Sequence, residues 1–399
     1  VRTVDDRERR ARLAVRHALH PDHRVPDPVA AARAMTVLHA TEAATVHLAV
    51  RARTDPEAPP APEDVDRVLG EDRSLVKQLA MRRTLFVLPR DLLPAVLGSA
   101  SARVAQTQRR ALVRDVERHG VAPDGEAWVD RARSGVLDRL TGAAPTNARQ
   151  LREELPELAG QVVHAPGKSY GGAAPLAPRV LTLLGAEGLV VRGPNAGHWR
   201  LNRPTWVLAD EWLGGQVEPT GTAEGYAELV RRWLRTFGPG TLEDLQWWLG
   251  STRTAARAAL AAVDAVQVVL DDGSTAWLLP DDLDPVGPVE PWAALLPTLD
   301  PTTMGWRGRD FYLDPRLRPF LFDTNGNAGT TAWWDGRVVG AWVQDDEGVV
   351  QVVAAPDVRL PAEARRALNV EADRLTRWLD GVRVGTVYPS PLMRQARLP

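Results

Sequence analysis

The sequence predicts an α+β protein with three tandem winged-helix units followed by a small C-terminal β-barrel or curved sheet. Two observations lead there. First, a run of helical segments closed by a short β-patterned hairpin recurs along the chain, most clearly at about 221–282, again at about 124–214, and less cleanly at about 28–90. Second, the last part changes character: 13 of the 14 tryptophans lie after residue 198, and residues 284–399 alternate short β-patterned runs with turns. These copies place the units at 1–120, with an N-terminal helix, then at 121–217 and 218–285, and leave 286–399 as the β-rich part with a late helix.

In the first unit, Ala30–Leu38 and Glu42–Ala52 read as helices, Asp55–Glu63 as a Pro-rich loop, and Ser74–Met81 precedes a strand at Thr84–Leu88. In the second, Glu126–Leu140 is helical and Thr146 caps Asn147–Leu155. Pro178–Ala186 carries proline at its first position, and Leu189–Arg192 and His198–Leu201 form the wing. The third has the sharpest signals. Ala223–Phe237 is periodic and stops at Gly238-Pro-Gly240. Thr241 caps Leu242–Leu249 with Asp244 placed to reciprocate, Ser251–Val263 is a small-residue helix, and Val266–Leu270 pairs with Ala276–Leu279 around Asp272-Gly273. Beyond it, Ala332–Trp334 with Val338–Ala341, and Val338–Val343 with Val349–Ala354, read as hairpins. Ala362–Trp378 reads as a helix with apolar spacing at Ala367, Val370, Leu375 and Trp378.

Composition narrows function mainly by exclusion. Hydrophobic content of 44% and charged content of 25% are globular averages. No cysteine is present, which removes disulfides, thiolate metal sites and thiol nucleophiles. No apolar run approaches the roughly 18 residues of a membrane span, so a soluble, cytoplasmic protein without membrane contact is expected. The formal charge of −2 argues against a general nucleic-acid coat, although residues 1–120 carry 21 basic against 16 acidic side chains. Gly167-Lys168-Ser169 lacks the earlier glycine of a phosphate loop, and Pro21 interrupts the spacing of His17, His20 and His23, which fit a helix-end cluster better than a metal site. No cofactor and no metal are expected. No heptad run or long dimerisation helix appears, and a monomer is expected.

His39 and Thr41 fall at the junction between the first two predicted helices, where side chains project from a bend rather than a helix flank. Taken alone, Thr41 fits an N-cap for a helix starting at Glu42, and His39 fits a satisfied structural histidine. Family resemblance adds to this. The stretches Leu38–Arg53 and Arg73–Pro89, the wing-forming 174–201, Asp300-Pro-Thr-Thr-Met-Gly-Trp306 and Trp333-Trp-Asp-Gly-Arg-Val-Val-Gly340 resemble the winged-helix DNA glycosylases typified by AlkZ and YcaQ. The resemblance implies a monofunctional glycosylase that hydrolyses the N-glycosidic bond of N7-alkylated, bulky or crosslinked purines in double-stranded DNA on an open concave surface. In that family the same junction carries Gln-x-Gln or Gln-x-Asp, and here those positions hold His39 and Thr41. His39 is then expected to place or activate water, with an intrinsic pKa near 6.5 suited to accepting its proton. Thr41 would assist, and Glu42 would add charge if it turns inward. For DNA contact the candidates are Arg82, Arg83, Arg307, Arg309, Arg337 and the wedge Trp306, each of which also fits an ordinary solvated arginine or a core tryptophan. The alternative is a non-catalytic winged-helix DNA-binding protein, a regulator or damage sensor.

Overall fold

The computed structural model describes residues 2–164 and 172–396, so the Gly167–Ser169 reading lies outside the described residues. Among the described residues, helices and five small sheets give an α+β architecture. The largest apolar core runs from Leu13 to Met393 and joins the N-terminal helices, the middle of the chain and the C-terminal segments; a second core gathers residues 104–208, and another lies under the C-terminal sheet.

Local capping chemistry sets most helix starts. Thr241 Oγ1 accepts from Asp244 N at 3.1 Å and the Asp244 carboxylate accepts from Thr241 N at 3.0 Å, so the helix Leu242–Leu249 begins where the sequence places it. Its neighbours Thr222–Phe237 and Arg253–Ala262, and the hairpin Val266–Leu270 with Thr275–Leu278, also follow the expected order. An unexpected strand, Thr3–Val4, pairs parallel with this hairpin. The cap at residue 146 is displaced by one position. Asn147 accepts from Arg149 N and Gln150 N, whereas the Thr146 hydroxyl is spent on Ala144 O.

Several expected elements are corrected. The helix Pro28–Ala34 stops before Met35, because Thr36 is left-handed (φ 64°) and its hydroxyl is anchored to Arg232 O and Thr236 Oγ1; the chain then runs extended as Leu38–His39. The Pro-rich loop passes into a helix, Pro62–Gly70, and the long helix Ala102–Arg118 has no counterpart among the expected elements. The strand Val190–Arg192 pairs with Trp206–Leu208 rather than with His198–Leu201. The intervening loop is tied by Asn195, which donates to His198 O and Leu201 O and accepts from Arg203 N.

The C-terminal β part is an open antiparallel sheet, in the order Ala293–Leu296, Thr331–Trp334, Arg337–Gln344, Val350–Ala354, and its described strands do not close into a barrel. The turn Asp335-Gly336 takes φ of 47° and 75°, as a two-residue hairpin connection requires. Gly340 lets the third and fourth strands approach: a Cβ there would meet Val353 O at 2.1 Å. The helix Ala362–Leu379 covers the sheet with Leu375 and Trp378 on the packed side as expected, but not Val370. Leu368, Glu371, Ala372 and Leu375 face in, while Val370 is 47% exposed. Glu371 is tolerated inside because Arg51 and Arg374 reach its carboxylate at 3.6 and 2.7 Å.

Candidate active site

His39 is held by backbone pairing rather than by helix geometry. Leu38 and His39 form the edge of a three-stranded sheet with Leu85–Pro89 and Leu75–Leu79, with His39 opposite Phe86, and Ala40 N donates to Leu85 O at 2.9 Å. Cross-strand partners share a face, and the two rings lie 4.7 Å apart. The imidazole is recessed (5% exposed), and its Nδ1 is buried with no acceptor or donor opposite it among the described residues. Burial, and secondarily the Arg82 charge, push its pKa down to about 3. A group that far below neutrality is uncharged at working pH but a weak base. The shift takes the ring away from its intrinsic value near 6.5 and leaves it neutral, a form that can orient a water but is a poor proton acceptor.

Thr41 is half-buried beside it and is not the helix cap. The helix is Ala43–Arg51, the N-cap position is Glu42 with no side-chain cap bond, and the Thr41 hydroxyl stands one residue too early to reach it. The Thr41 carbonyl lies at 3.5 Å from Asn202 Nδ2, which brings the wing loop, with exposed Arg200 and Arg203, over the junction. Glu42 turns away from His39. Its Oε1 accepts from Thr386 Oγ1 at 2.8 Å and Val387 N at 2.5 Å, in a narrow cleft also lined by Thr45, Trp342 and Gln344. Burial raises the Glu42 pKa against the pull of these bonds. A carboxyl with a raised folded pKa is harder to ionise folded than unfolded, so it destabilises as pH rises above its usual value of 4.5. Glu42→Gln keeps the acceptor oxygen without the charge. Its thermal midpoint is expected to equal or exceed that of the wild type at pH 7–8, and a clear drop in a melting scan would show that the buried carboxylate is net stabilising.

The arginine candidates separate. Arg82 and Arg83 occupy consecutive left-handed positions (φ 54° and 57°). The Arg82 guanidinium lies flat on Trp247, 4.0 Å from the ring centre, and Arg83 is exposed. Arg309, expected at the surface, is instead 95% covered, lying 4.8 Å over Phe322 and 5.4 Å from the Trp247 ring. Arg307 is exposed, and its backbone N is held by Asp244. Arg337 is exposed on the Asp335-Gly336 hairpin against Arg10 of the N-terminal helix. Trp306 is no wedge. It is 3% exposed, donates Nε1 to Phe237 O at 3.0 Å, and packs against His17, Phe237 and Phe311. Trp306→Phe keeps most of the packing and strands that carbonyl, so a loss of about 1–3 kcal/mol is expected in denaturant titration, with duplex affinity unchanged. His17 also belongs to this core, its Nδ1 2.9 Å from Thr302 Oγ1.

The sequence model of the AlkZ-like DNA glycosylase family matches residues 32–378, which include the His39 junction, the Arg82 turn and the C-terminal sheet. The chain belongs to that family. It is therefore a DNA glycosylase, an enzyme of the hydrolase class. Among AlkZ-like proteins, an interstrand DNA cross-link repair glycosylase of Streptomyces sahachiroi is 26% identical over 317 residues, 77% of this chain and 80% of that one. The solved structure of the Streptomyces sahachiroi DNA glycosylase AlkZ shares the fold, with a TM-score of 0.73 at 22% identity over 94% of this chain and 97% of that one.

For an AlkZ-like glycosylase, three residues around the junction gave no separate signal in the sequence. Phe86 is visible there only as part of the Arg73–Pro89 stretch. Nothing local distinguishes Trp247 from the other tryptophans. Asn202 reaches Thr41 across a separation of 161 residues.

Proposed function

We propose that the protein excises N7-alkylated purines, bulky adducts and interstrand crosslinks included, from double-stranded DNA and leaves an abasic site. The observation that carries this reading is the neutral, recessed His39 imidazole with an unpartnered ring nitrogen, at a junction that lies within the residues matched by the AlkZ-like family model. An N7-alkylated purine is already cationic. The bond from C1′ to the base nitrogen breaks with its electron pair moving onto the purine, which departs neutral, and the sugar becomes oxocarbenium-like. A water then adds at C1′. Bonding to that carbon makes the water acidic, so its proton passes to solvent without a strong base. Orientation is the remaining requirement, and His39 with Thr41 supplies it. The similarity to a cross-link repair glycosylase supports the bulky end of the substrate range.

The finer architecture belongs to the same reading: three winged-helix units at about 1–120, 121–217 and 218–285, and a sheet-bearing part from 286, together present a concave face to the duplex. Arg83, Arg307 and Arg337 contact phosphates, and the enzyme works as a cytoplasmic monomer without metal or cofactor. The test is a duplex with a single N7-methylguanine, incubated with protein and then treated with alkali. Strand cleavage by the wild type that disappears in His39→Ala supports the proposal. Salt-sensitive binding with no cleavage of any N7 adduct refutes it.

A further inference from the structure

We propose that Arg82, backed by Arg309, is a seat for one phosphate of the DNA strand whose base is removed, anchoring that strand beside His39. This rests on the glycosylase reading above. The Arg82 side chain takes part in no ion pair and no hydrogen bond among the described residues, and the Nε atoms of both Arg82 and Arg309 are buried without an acceptor. Both guanidinium groups lie against the Trp247 ring, at 4.0 and 5.4 Å from its centre, so two like charges share one aromatic neighbour.

The neighbouring carboxylate forms no ion pair with either of them. Asp244 Oδ1 accepts from Arg307 N and Gly308 N, both at 2.9 Å, and Oδ2 accepts from Thr241 N and Thr241 Oγ1. Its lone pairs are committed to capping and to the loop at 307–308. Burial and the mutual repulsion of the pair lower the Arg82 pKa to about 10, and burial lowers that of Arg309; exposed Arg318 adds a further positive charge. Buried cations without a counter-ion are disfavoured, and a phosphodiester oxygen is the anion a planar guanidinium fork fits.

The backbone is shaped for this. Arg82 and Arg83 sit in a conformation L-residues rarely adopt, and Gly250 permits close approach: a Cβ there would lie 2.9 Å from Arg82 N. Packing alone does not require an arginine in so constrained a turn. Location supplies the function. Arg82 lies in the turn that joins Leu75–Leu79 to Leu85–Pro89, the strand on which His39 and Ala40 are paired, so a phosphate seated on Arg82 belongs to the nucleotide at the junction or its neighbour. Arg82 is a binding residue, and Arg309 is a positioning residue behind it.

The experiment is a chemical double-mutant cycle. Duplexes carry one 2′-fluoro-N7-methylguanine, which slows excision, and one methylphosphonate moved across the flanking phosphates. Wild type is expected to lose about tenfold in affinity at one position, the size of a lost charge-assisted hydrogen bond. Arg82→Gln should bind the unmodified duplex about tenfold more weakly, lose nothing further at that position, and lower the slope of log K against log salt by about 0.9. Arg82→Lys should restore the slope while remaining weaker, which separates charge from packing. Arg309→Met should shrink the methylphosphonate effect at the same position. Additive losses, an unchanged salt slope, or an Arg82→Lys protein that melts early yet keeps wild-type phosphate sensitivity would each overturn the seat. The cycle reads binding alone, so a wild type that shows it yet excises no adduct sinks the glycosylase reading and leaves the seat standing.

Discussion

With an N7-methylguanine duplex as substrate, His39→Ala should excise the base about 10²–10⁴-fold more slowly than the wild type, the range lost when a group positioned for the reacting water is removed. His39→Gln should stay within about tenfold, because glutamine can orient a water as a neutral imidazole does. The pH profile discriminates between orientation and proton abstraction. With its pKa pushed down to about 3, His39 is uncharged from pH 5 to 8, and the single-turnover rate should be flat there. An acid limb near pH 6.5, present in the wild type and missing in His39→Gln, would restore the general-base role.

Stability should move with pH in a definable direction at the same residue. The unfolded imidazole binds a proton below about 6.5, whereas the folded one does not until about 3. Between those values the unfolded state holds more protons, so stability falls as pH drops. At pH 5 the contribution is about 2 kcal/mol relative to neutral pH. His39→Gln removes it, and guanidinium titrations of the two proteins at pH 7 and pH 5 measure the difference.

Asp300→Ala should cost about 3–5 kcal/mol and lower the melting temperature sharply, since it leaves a buried cation without its partner. Arg53 Nη1 and Nη2 donate to the two Asp300 oxygens at 2.9 and 2.7 Å, with both side chains fully buried. Thr302 N and Oγ1 complete the site, at 2.8 Å from Asp300 Oδ1 and from Arg53 Nη2. The bridge ties the end of the helix that follows the His39 junction to the Asp300–Trp306 turn, 247 residues later. Replacing both partners with apolar residues of similar volume should recover much of the loss. An Asp300→Ala protein as stable as the wild type in denaturant titration would mean that water or a rearranged neighbour satisfies Arg53.

The same contrast between local and distant partners explains which parts of the molecule were readable beforehand. The Thr241–Asp244 box, the hairpin turn at Asp335-Gly336 and the periodic helix at 222–237 were placed closely, because each is decided by residues three or four apart. The cap expected at Thr146 fell one residue short of Asn147, since two adjacent capping candidates compete and packing selects, whereas the helix expected to be capped by Thr41 begins after Glu42 with no side-chain cap. The wing partner moved from His198–Leu201 to Trp206–Leu208 for a related reason: Asn195 folds the intervening loop in a way no alternation pattern encodes. Trp306 illustrates the limit for side chains, because an indole serves equally as a wedge or as core until its neighbours are known.

Periodicity, caps, turns and the ordered motif stretches determined an α+β chain with helices before a C-terminal sheet, and pointed to His39 and Thr41 within an AlkZ-like family. These depend on short-range sterics and hydrogen bonds that the residues carry with them. Tertiary structure alone decided that His39 is desolvated beside Arg82 and hence neutral, that Glu42 turns to Thr386, that Arg309 lies under cover with Arg82 on Trp247, and that Asp300 serves the fold. Burial and electrostatic environment are set by atoms from distant parts of the chain, and they govern protonation and exposure more strongly than residue type does.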